Sequence, residues 1–287
     1  MSDKYLKADR RRAIRIRRLS LLKANLDRID RPGIKIAETR DELEQAFSLV
    51  YREYERAGLL GKTDPSGLCL GLHNILPETS VFVFKSYLTA VATLTHIFDS
   101  RLFGLPMDGI YHDELNALRN NGRRLVELGG LATSNQIDAN NIFIYLFRAV
   151  FWYSMYIGAN DFCIMVNPEH VNLYKTLFFF EDMGEEKYYS RVGAPAVALR
   201  LNLDDVGGRL KEKYSPLDFD TDLNFFFRRV SGIAPADDLD NGNYLKGKKI
   251  MDVDTARYLF VEKTDMLSRA SPEQLNYIKS IYPGLDP

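Results

Sequence analysis

The sequence predicts a mixed α/β fold, an α+β mixed sheet with a helical extension at the C-terminus. Between residues 34 and 203, strand-like and helix-like segments follow the order strand, helix, three strands, helix, strand, helix, two strands. This alternation is typical of a sheet with central parallel pairing and helices on its faces. The 287 residues, of which 46% are hydrophobic, are enough for one substantial core.

The first helix is the most clearly marked element. Thr39 is a good N-cap, and Glu42 three residues later completes a capping box. Apolar residues at helical spacing follow until Gly58. The other predicted elements are strands at Ile34–Ala37, Val81–Tyr87, Thr89–Phe98, Arg124–Thr133, Phe162–Val166, Lys187–Val192 and Ala196–Leu203, and helices at Asp113–Leu118, Asn141–Gly158 and Pro168–Phe180.

Composition and pattern divide the chain into three parts. Residues 1–32 form a basic arm, since residues 1–31 carry eleven Lys and Arg against four Asp, while the whole chain has a net charge of -1. Residues 33–207 carry the α/β pattern. Residues 208–287 form a mostly helical extension, with helix-like stretches at Leu217–Val230 and Thr255–Arg269.

The cellular compartment is predicted from cysteine use and apolar runs. Only Cys69 and Cys163 are present, which fits a reducing cytosol without a disulfide framework. The basic start is not followed by the unbroken apolar stretch of a signal peptide. The longest mainly apolar stretch, Ala149–Ala159, is too short to cross a bilayer. We therefore expect a cytoplasmic protein.

Three groups of motifs resemble a known family. They are Asp99–Asp108 with Glu114, the strand Arg124–Leu128 with its carboxylate, and Val171–Lys175 leading to Phe178–Phe180. With the element order, these motifs resemble the GNAT acyltransferase superfamily and, within it, the N-acyl amino acid synthases that make N-acyltyrosine. That group is similar in turn to the acyl-homoserine-lactone synthases. The resemblance covers about residues 33–206.

The resemblance implies a GNAT-like acyltransferase fold, in which two neighbouring parallel strands separate and the pantetheine arm of the donor lies in the gap. It also implies direct transfer of a long-chain fatty acyl group to the α-amine of an amino acid, with tyrosine or another apolar or aromatic amino acid as acceptor.

Glu127 is the expected base of this reaction. An amino acid amine is largely protonated at neutral pH, so a carboxylate must accept a proton, with a water as the relay. Asp99 and His96 are the alternatives, and His96 has the better intrinsic pKa. Another interpretation of Glu127 is a strand residue in a salt bridge with Arg123 or Arg124.

The backbone of Gly129, Gly130 and Leu131 is expected to receive the thioester, because glycine permits close approach and N–H groups stabilise an oxyanion. Alternatively, the two glycines mark only a sheet bulge. The sequence differs from the lactone synthases at these two positions, because those enzymes have Ser or Thr and Arg just after the strand Glu. Gly129 and Gly130 therefore argue against homoserine-lactone chemistry.

An aromatic stripe is the candidate acyl-chain pocket. Burying ten methylenes at about 0.8 kcal/mol each would contribute on the order of 8 kcal/mol, enough to select long chains over acetyl. The alternative is that these residues are ordinary core. They are Phe143, Phe147, Phe151, Trp152 and Phe178.

The donor is expected to be an acyl carrier protein, with its phosphopantetheine as the donor arm and no bound cofactor. Acetyl-CoA users carry a glycine-containing pyrophosphate loop, whereas Gln136–Asn141 at the matching place has no glycine and an added acid. A basic surface would attract the acidic carrier. The expected docking residues are Arg11, Arg15, Arg18, Arg148 and Lys175, and the alternative is that the arm is a solvated tail.

Two other functions stay open. One is an acyl-CoA-dependent N-acyltransferase acting on another amine. The other is a non-catalytic acyl-binding regulatory protein whose arm binds nucleic acid or an anionic membrane. For the preferred function we expect no nucleic-acid partner, while the basic arm remains suited to peripheral membrane contact. The four histidines lack ligand spacing, so no metal is expected.

Overall fold

The computed structural model describes residues 29–60, 64–134, 142–214 and 251–286. Its strands are β1 (Pro32–Ile36), β2 (Thr79–Ser86), β3 (Thr89–Phe98), β4 (Leu125–Thr133), β5 (Asp161–Val166), β6 (Glu181–Asp182), β7 (Lys187–Tyr189) and β8 (Ala194–Asn202). Its α-helices are α1 (Arg40–Arg56), α2 (Asp108–Asn120), α3 (Ile142–Tyr156), α4 (Val171–Phe178), α5 (Leu203–Tyr214), α6 (Val253–Arg257) and α7 (Pro272–Ile281).

The strands form one mixed sheet. Within the described ranges its order is β1-β2-β3-β4-β5-β8-β6, and β7 extends the edge beside β8. Strands β4 and β5 pair in parallel at the centre, whereas the other described pairs are antiparallel. The predicted mixed α/β architecture with central parallel pairing is confirmed.

The two faces of the sheet carry separate cores. Phe82 and Phe84 of β2 point to the face covered by α3 and α4, while Val81 and Val83 point to the face covered by α1. This alternation follows from the two-residue period of a strand. Both faces are therefore buried, and a site between the strands can be reached only where the covering elements leave an opening.

The hairpin between β2 and β3 turns without glycine. Tyr87 takes a positive φ of 53°, which non-glycine residues rarely adopt. Its N–H donates to the carbonyl of Asp30 at 2.7 Å, and the guanidinium of Arg31 lies 4.8 Å from its ring centre. The chain before β1 thus supports a turn whose own sequence lacks the usual signal.

Several predicted boundaries needed correction. The helix predicted at Pro168–Phe180 begins as a 3₁₀ turn and ends at Phe179, which has a φ of 61°. The short strand β6 and helix α5 were missed, because β6 has two residues and Gly207 and Gly208 lower the helix propensity of α5. The predicted helix Leu217–Val230 lies outside the described residues.

The C-terminal segment, residues 251–286, packs on the α1 face of the sheet. The single helix predicted at Thr255–Arg269 is wrong: α6 runs into a π-helical turn at Tyr258–Glu262, and a 3₁₀ turn follows at Met266–Arg269. Phe260 is fully buried in the same core cluster as Phe47 of α1. This segment is therefore part of the core on the α1 face of the sheet.

We expect Phe260→Ala to lower the free energy of unfolding by about 3–5 kcal/mol, because it leaves a cavity in this core. The matched control is Asn276→Ala on the exposed side of α7, which should change stability by less than about 0.5 kcal/mol. Urea unfolding of both variants checks the prediction. Equal, small effects would show that residues 251–286 do not pack as described.

Candidate active site

A gap opens between the two parallel strands at the centre of the sheet. Strand β4 continues to Thr133 and β5 to Val166, yet their pairing consists of three residue pairs and ends at Glu127 and Cys163. Beyond that pair, the two described strands separate. The two central strands therefore leave an opening between them, and Glu127 stands at its start.

The closed end of the gap is held by an ion-pair cluster. Asp161, at the start of β5, is fully buried and accepts hydrogen bonds from Arg123 Nε at 2.5 Å and Arg200 Nε at 2.6 Å. Arg123 thus pairs with Asp161, and the guanidinium of Arg124 lies against Gly158. The interpretation of Glu127 as the ion-pair partner of Arg123 or Arg124 is wrong.

A cavity of about 990 Å³ lies on the α1 side of the gap. Its volume is at the upper end of the range for small-molecule sites, roughly 300–1,000 Å³. Glu127 and Gly129 of β4 line it together with Thr95 and Ile97 of β3, which are their partners across the sheet. The candidate base and the candidate thioester surface therefore face one chamber.

Glu127 is buried, and its carboxylate has one hydrogen bond: Oε2 accepts from the backbone N–H of Met107 at 2.8 Å. Burial raises the pKa of Glu127 to about 8. The hydrogen bond from the Met107 N–H and the positive charge of Arg191 lower this pKa, whereas the negative charges of Asp108 and Asp99 raise it further. A carboxyl group with such a pKa can exchange protons with an amine near neutral pH.

The segment that holds Met107 is fixed by a second ion-pair network. Arg119 of α2 binds Asp99 through Nε at 2.7 Å and Nη2 at 2.9 Å, and its Nη1 binds Asp108 at 2.6 Å. Asp108 in turn accepts a hydrogen bond from the N–H of Leu105 at 2.7 Å. Asp99 therefore stabilises the turn that presents Met107 to Glu127, and the cavity lining does not include it.

His96 lies on the other face of β3. It is fully buried with its ring 5.1 Å from that of Tyr153, and neither ring nitrogen has a hydrogen-bond partner among the described residues. Burial lowers the pKa of His96 to about 3. The structure thus places His96 inside the core as a neutral ring and does not bring it to the chamber of Glu127.

A bulge in β4 lies at the two glycines. Thr93 pairs with Ala132 and Thr95 with Gly129, so Gly130 and Leu131 of β4 stand opposite one residue of β3. Gly130 has a φ of 57°, and a Cβ there would lie 3.1 Å from Thr95 Oγ1. The interpretation as a bulge is confirmed. Gly129 and Gly130 line the cavity, whereas its lining does not include Leu131.

The aromatic stripe lies in the core beneath α3, outside the cavity lining. Phe147 and Phe178 pack at 4.4 Å between ring centres, with Phe143 at 6.0 Å from Phe178 and Phe151 at 6.0 Å from Trp152. Leu128 and Ile164, one on each strand beside the gap, belong to the same cluster. A chain that entered through the gap would therefore meet this stripe.

The predicted docking residues are only partly described. Arg11, Arg15 and Arg18 lie outside the described residues. Arg148 is half-buried on α3, and Lys175 on α4 forms an ion pair with the exposed Asp182.

Cysteine chemistry and metal binding gain no support from the geometry. Cys163 is buried in β5, and burial raises the pKa of its thiol. Cys69 lines the cavity, and burial raises the pKa of its thiol too. Within the described ranges, no group of three His, Cys, Asp or Glu could hold a metal ion. Among the helices of those ranges, none has the length and hydrophobicity of a membrane span.

Sequence reasoning missed most of the cavity lining, including the loop at residues 64–74 and two walls from later in the chain. One is the end of β7 with the turn that follows, which contribute Tyr189 and Arg191. The other is the C-terminal segment, which contributes residues 261–266 and Arg269. Neither wall has a periodic pattern, since one is a turn and the other a π-helical turn followed by a loop.

Comparison with known proteins identifies relatives. A model of the family described as N-acyl amino acid synthase FeeM matches residues 45–202. The chain is similar to the solved structure of FeeM, an N-acyl amino acid synthase from uncultured soil microbes, at 26% identity over 62% of this chain and 95% of that chain, with a TM-score of 0.57. No curated protein sequence matches it.

Two further solved structures are more distant. The acyl-homoserine-lactone synthase LasI is similar at 14% identity over 60% of this chain and 88% of that chain, with a TM-score of 0.44. An acyl-CoA N-acyltransferase from Pseudomonas aeruginosa is similar at 13% identity over 59% of this chain and 97% of that chain, with a TM-score of 0.39. The C-terminal wall of the cavity lies beyond the residues that the family model matches.

Proposed function

Since the chain belongs to the N-acyl amino acid synthase FeeM family and is an acyltransferase, we propose that it moves a long-chain fatty acyl group from acyl carrier protein to the α-amine of an amino acid. The observation that carries this proposal is the buried carboxyl group of Glu127, at the point where β4 and β5 separate. The gap then receives the pantetheine thioester, and the cavity receives the acceptor.

The transfer needs one nucleophile and one base. The acceptor amine, once neutral, attacks the thioester carbonyl carbon and forms the new C–N bond. The tetrahedral intermediate collapses as its C–S bond breaks, and the pantetheine sulfur leaves and takes up a proton as the thiol. The products are an N-acyl amino acid and a carrier with a free thiol, so no oxidant or reductant is required.

Glu127 supplies the base. Its ionised form accepts a proton from the incoming ammonium, directly or through a water, and passes it to solvent. The second proton that the nitrogen loses as the amide forms goes to the departing sulfur. Because burial raises its pKa to about 8, the group is a stronger base than an ordinary carboxylate and still ionises near neutral pH. The backbone of Gly129 and Gly130 faces the same chamber and is the natural donor set for the oxyanion.

Charge and apolar packing support the choice of donor. Residues 1–31 carry a large excess of Lys and Arg, which favours encounter with an acidic carrier. The aromatic stripe lies directly behind Leu128 and Ile164, and a long acyl chain passing between these side chains would exchange water for an apolar surface. An acetyl group would gain little from that path.

The proposal is tested with purified protein, a mixture of the twenty amino acids, and either palmitoyl-acyl carrier protein or palmitoyl-CoA. We expect mass spectrometry to detect an N-palmitoyl amino acid, formed at least 10-fold faster from the carrier. Equal or better turnover with palmitoyl-CoA would overturn the carrier as donor and retain acyl transfer. Product absent with both donors, against amino acids and simple amines alike, would contradict the proposed reaction.

A further inference from the structure

Arg191 is a cation built into the wall of the cavity. It lies in the turn between β7 and β8 and lines the same chamber as Glu127. Its Nη2 donates to the carbonyl of Leu70 at 3.1 Å. The guanidinium packs against Gly71, where a Cβ would lie 2.9 Å from Nη2 and 3.2 Å from Nη1. The guanidinium is therefore held in place by backbone groups.

The other cations of the chamber differ from Arg191. Arg269 forms an ion pair with Asp265 at 2.7 Å, and the Lys263 ammonium lies 5.3 Å from the centre of the Tyr258 ring. In the part of the chain that the structure describes, Arg191 forms an ion pair with no carboxylate. Its hydrogen bonds to the Leu70 carbonyl and to the Tyr189 side chain leave further N–H groups of the five that a guanidinium offers. A planar anion in the chamber can use the rest.

We propose that Arg191 binds the carboxylate of the acceptor and makes the enzyme selective for amino acids over simple amines. This inference rests on the proposed function, because it concerns the acceptor of that reaction. A guanidinium and a carboxylate match in a bidentate pair, which fixes orientation as well as position. Held in this way, the acceptor can direct its α-amine toward Glu127, which lines the same chamber.

An α-amino acid carries an amine and a carboxylate close together. Its amine nitrogen and carboxyl carbon are about 2.5 Å apart, given ordinary bond lengths and angles. One molecule therefore presents both groups to the same chamber, and hydrogen bonds of roughly 2.8 Å at each end extend its reach. The charge of Arg191 reaches Glu127, whose pKa it lowers against the larger rise caused by burial. The two side chains thus share one electrostatic environment.

Tyrosine, tyrosinamide and tyramine provide the test, with a palmitoyl donor on which the wild type is active. We expect the wild type to prefer tyrosine at least 100-fold in kcat/KM. Arg191→Gln should remove most of that preference through a higher KM for tyrosine, whereas its effect through Glu127 should change the rates with all three compounds alike. Arg191→Lys should give an intermediate result, because it keeps the charge and loses the bidentate geometry.

The matched control is Arg56→Gln, which removes an exposed cation at the end of α1 and should leave the preference intact. A preference that survives in Arg191→Gln overturns the inference. An Arg191→Gln variant with a higher KM for the donor and an unchanged KM for tyrosine also overturns it, because that result assigns Arg191 to binding of the pantetheine phosphate. If tyrosine is not an acceptor, the same three forms of leucine are used. A wild type that acylates none of these compounds contradicts the proposed function itself.

Discussion

Replacing Glu127 by glutamine should lower kcat/KM by about 10²- to 10⁴-fold, the range that a positioned general base contributes. Glutamine keeps the size of the side chain and cannot accept the proton of the incoming ammonium. The measurement is the steady-state rate of N-acyl amino acid formation. The control is Glu114→Gln on α2. It removes a carboxylate that pairs with Lys187 of β7 and should change the rate by less than about 3-fold.

The pH dependence gives the same prediction a second readout. The wild-type rate should rise with pH and level off above about pH 8, as Glu127 ionises. Deprotonation of the free amine contributes equally in wild type and variant, so the difference between the two profiles isolates Glu127. A Glu127→Gln variant with near-normal rates and an unchanged profile would remove this carboxyl group from the reaction.

Whereas the rate should rise with pH, the stability of the folded chain should fall with pH. The pKa of Glu127 in the folded chain, about 8, lies above the ordinary value of 4.5, so the unfolded chain loses the proton first. The stability tied to the protonated group is complete below pH 4.5 and is lost as pH rises through 8. Urea unfolding at pH 5 and pH 9 should therefore show that Glu127→Gln gains stability relative to wild type at the higher pH.

Filling the chamber beside the gap should have a comparably large effect. A Cβ at Gly129 meets no atom within 4 Å, so Gly129→Phe can place its ring in the cavity without a clash at its root. We expect at least a 100-fold loss of kcat/KM, because the ring occupies the space in which thioester and amine must meet. Urea unfolding should show a stability change of less than about 1 kcal/mol.

Gly33→Phe on the edge strand β1 is the matched control, since a Cβ there also meets no atom within 4 Å and lies away from the cavity lining. It should retain wild-type activity. An active Gly129→Phe enzyme with normal KM values would show that the reaction does not take place in this chamber. A Gly129→Phe chain that unfolds is distinguished from a blocked one by the same urea experiment.

Much of the fold was accessible from residue patterns. The strand Thr89–Phe98 and the helix after Thr39 were predicted at their observed positions, because both carry a regular apolar period and Thr39 caps its helix through Oγ1. The mixed α/β fold and the resemblance to N-acyl amino acid synthases are confirmed. Elements with a weak local signal were missed, above all α5 with its two glycines.

The site was only partly accessible. Glu127 could be singled out as a carboxylate in an apolar strand, and Gly129 and Gly130 as glycines within a strand. The sequence does not show which face of β3 looks into the cavity, and a one-residue shift in that assignment separates His96 from Thr95 and Ile97. Arg191 and the C-terminal wall reach the site only through tertiary packing, which local patterns do not encode.

The aromatic stripe illustrates a further limit. Its spacing correctly predicted one face of α3, and the structure shows that face packed in the core. Whether such a surface also accepts an acyl chain depends on how far Leu128 and Ile164 separate when a donor enters. That movement is a property of the complex and has no signature in the spacing of phenylalanines.

The account rests on the idea that an acyl-thioester enters the sheet between β4 and β5 and meets Glu127. The most direct measurement is a crystal structure with a stable palmitoyl-pantetheine analogue in which a methylene replaces the sulfur. We predict that the analogue passes between Leu128 and Ile164, with its carbonyl group against the backbone of Gly129 and Gly130. An analogue bound elsewhere, with β4 and β5 closed along their length, would contradict the account.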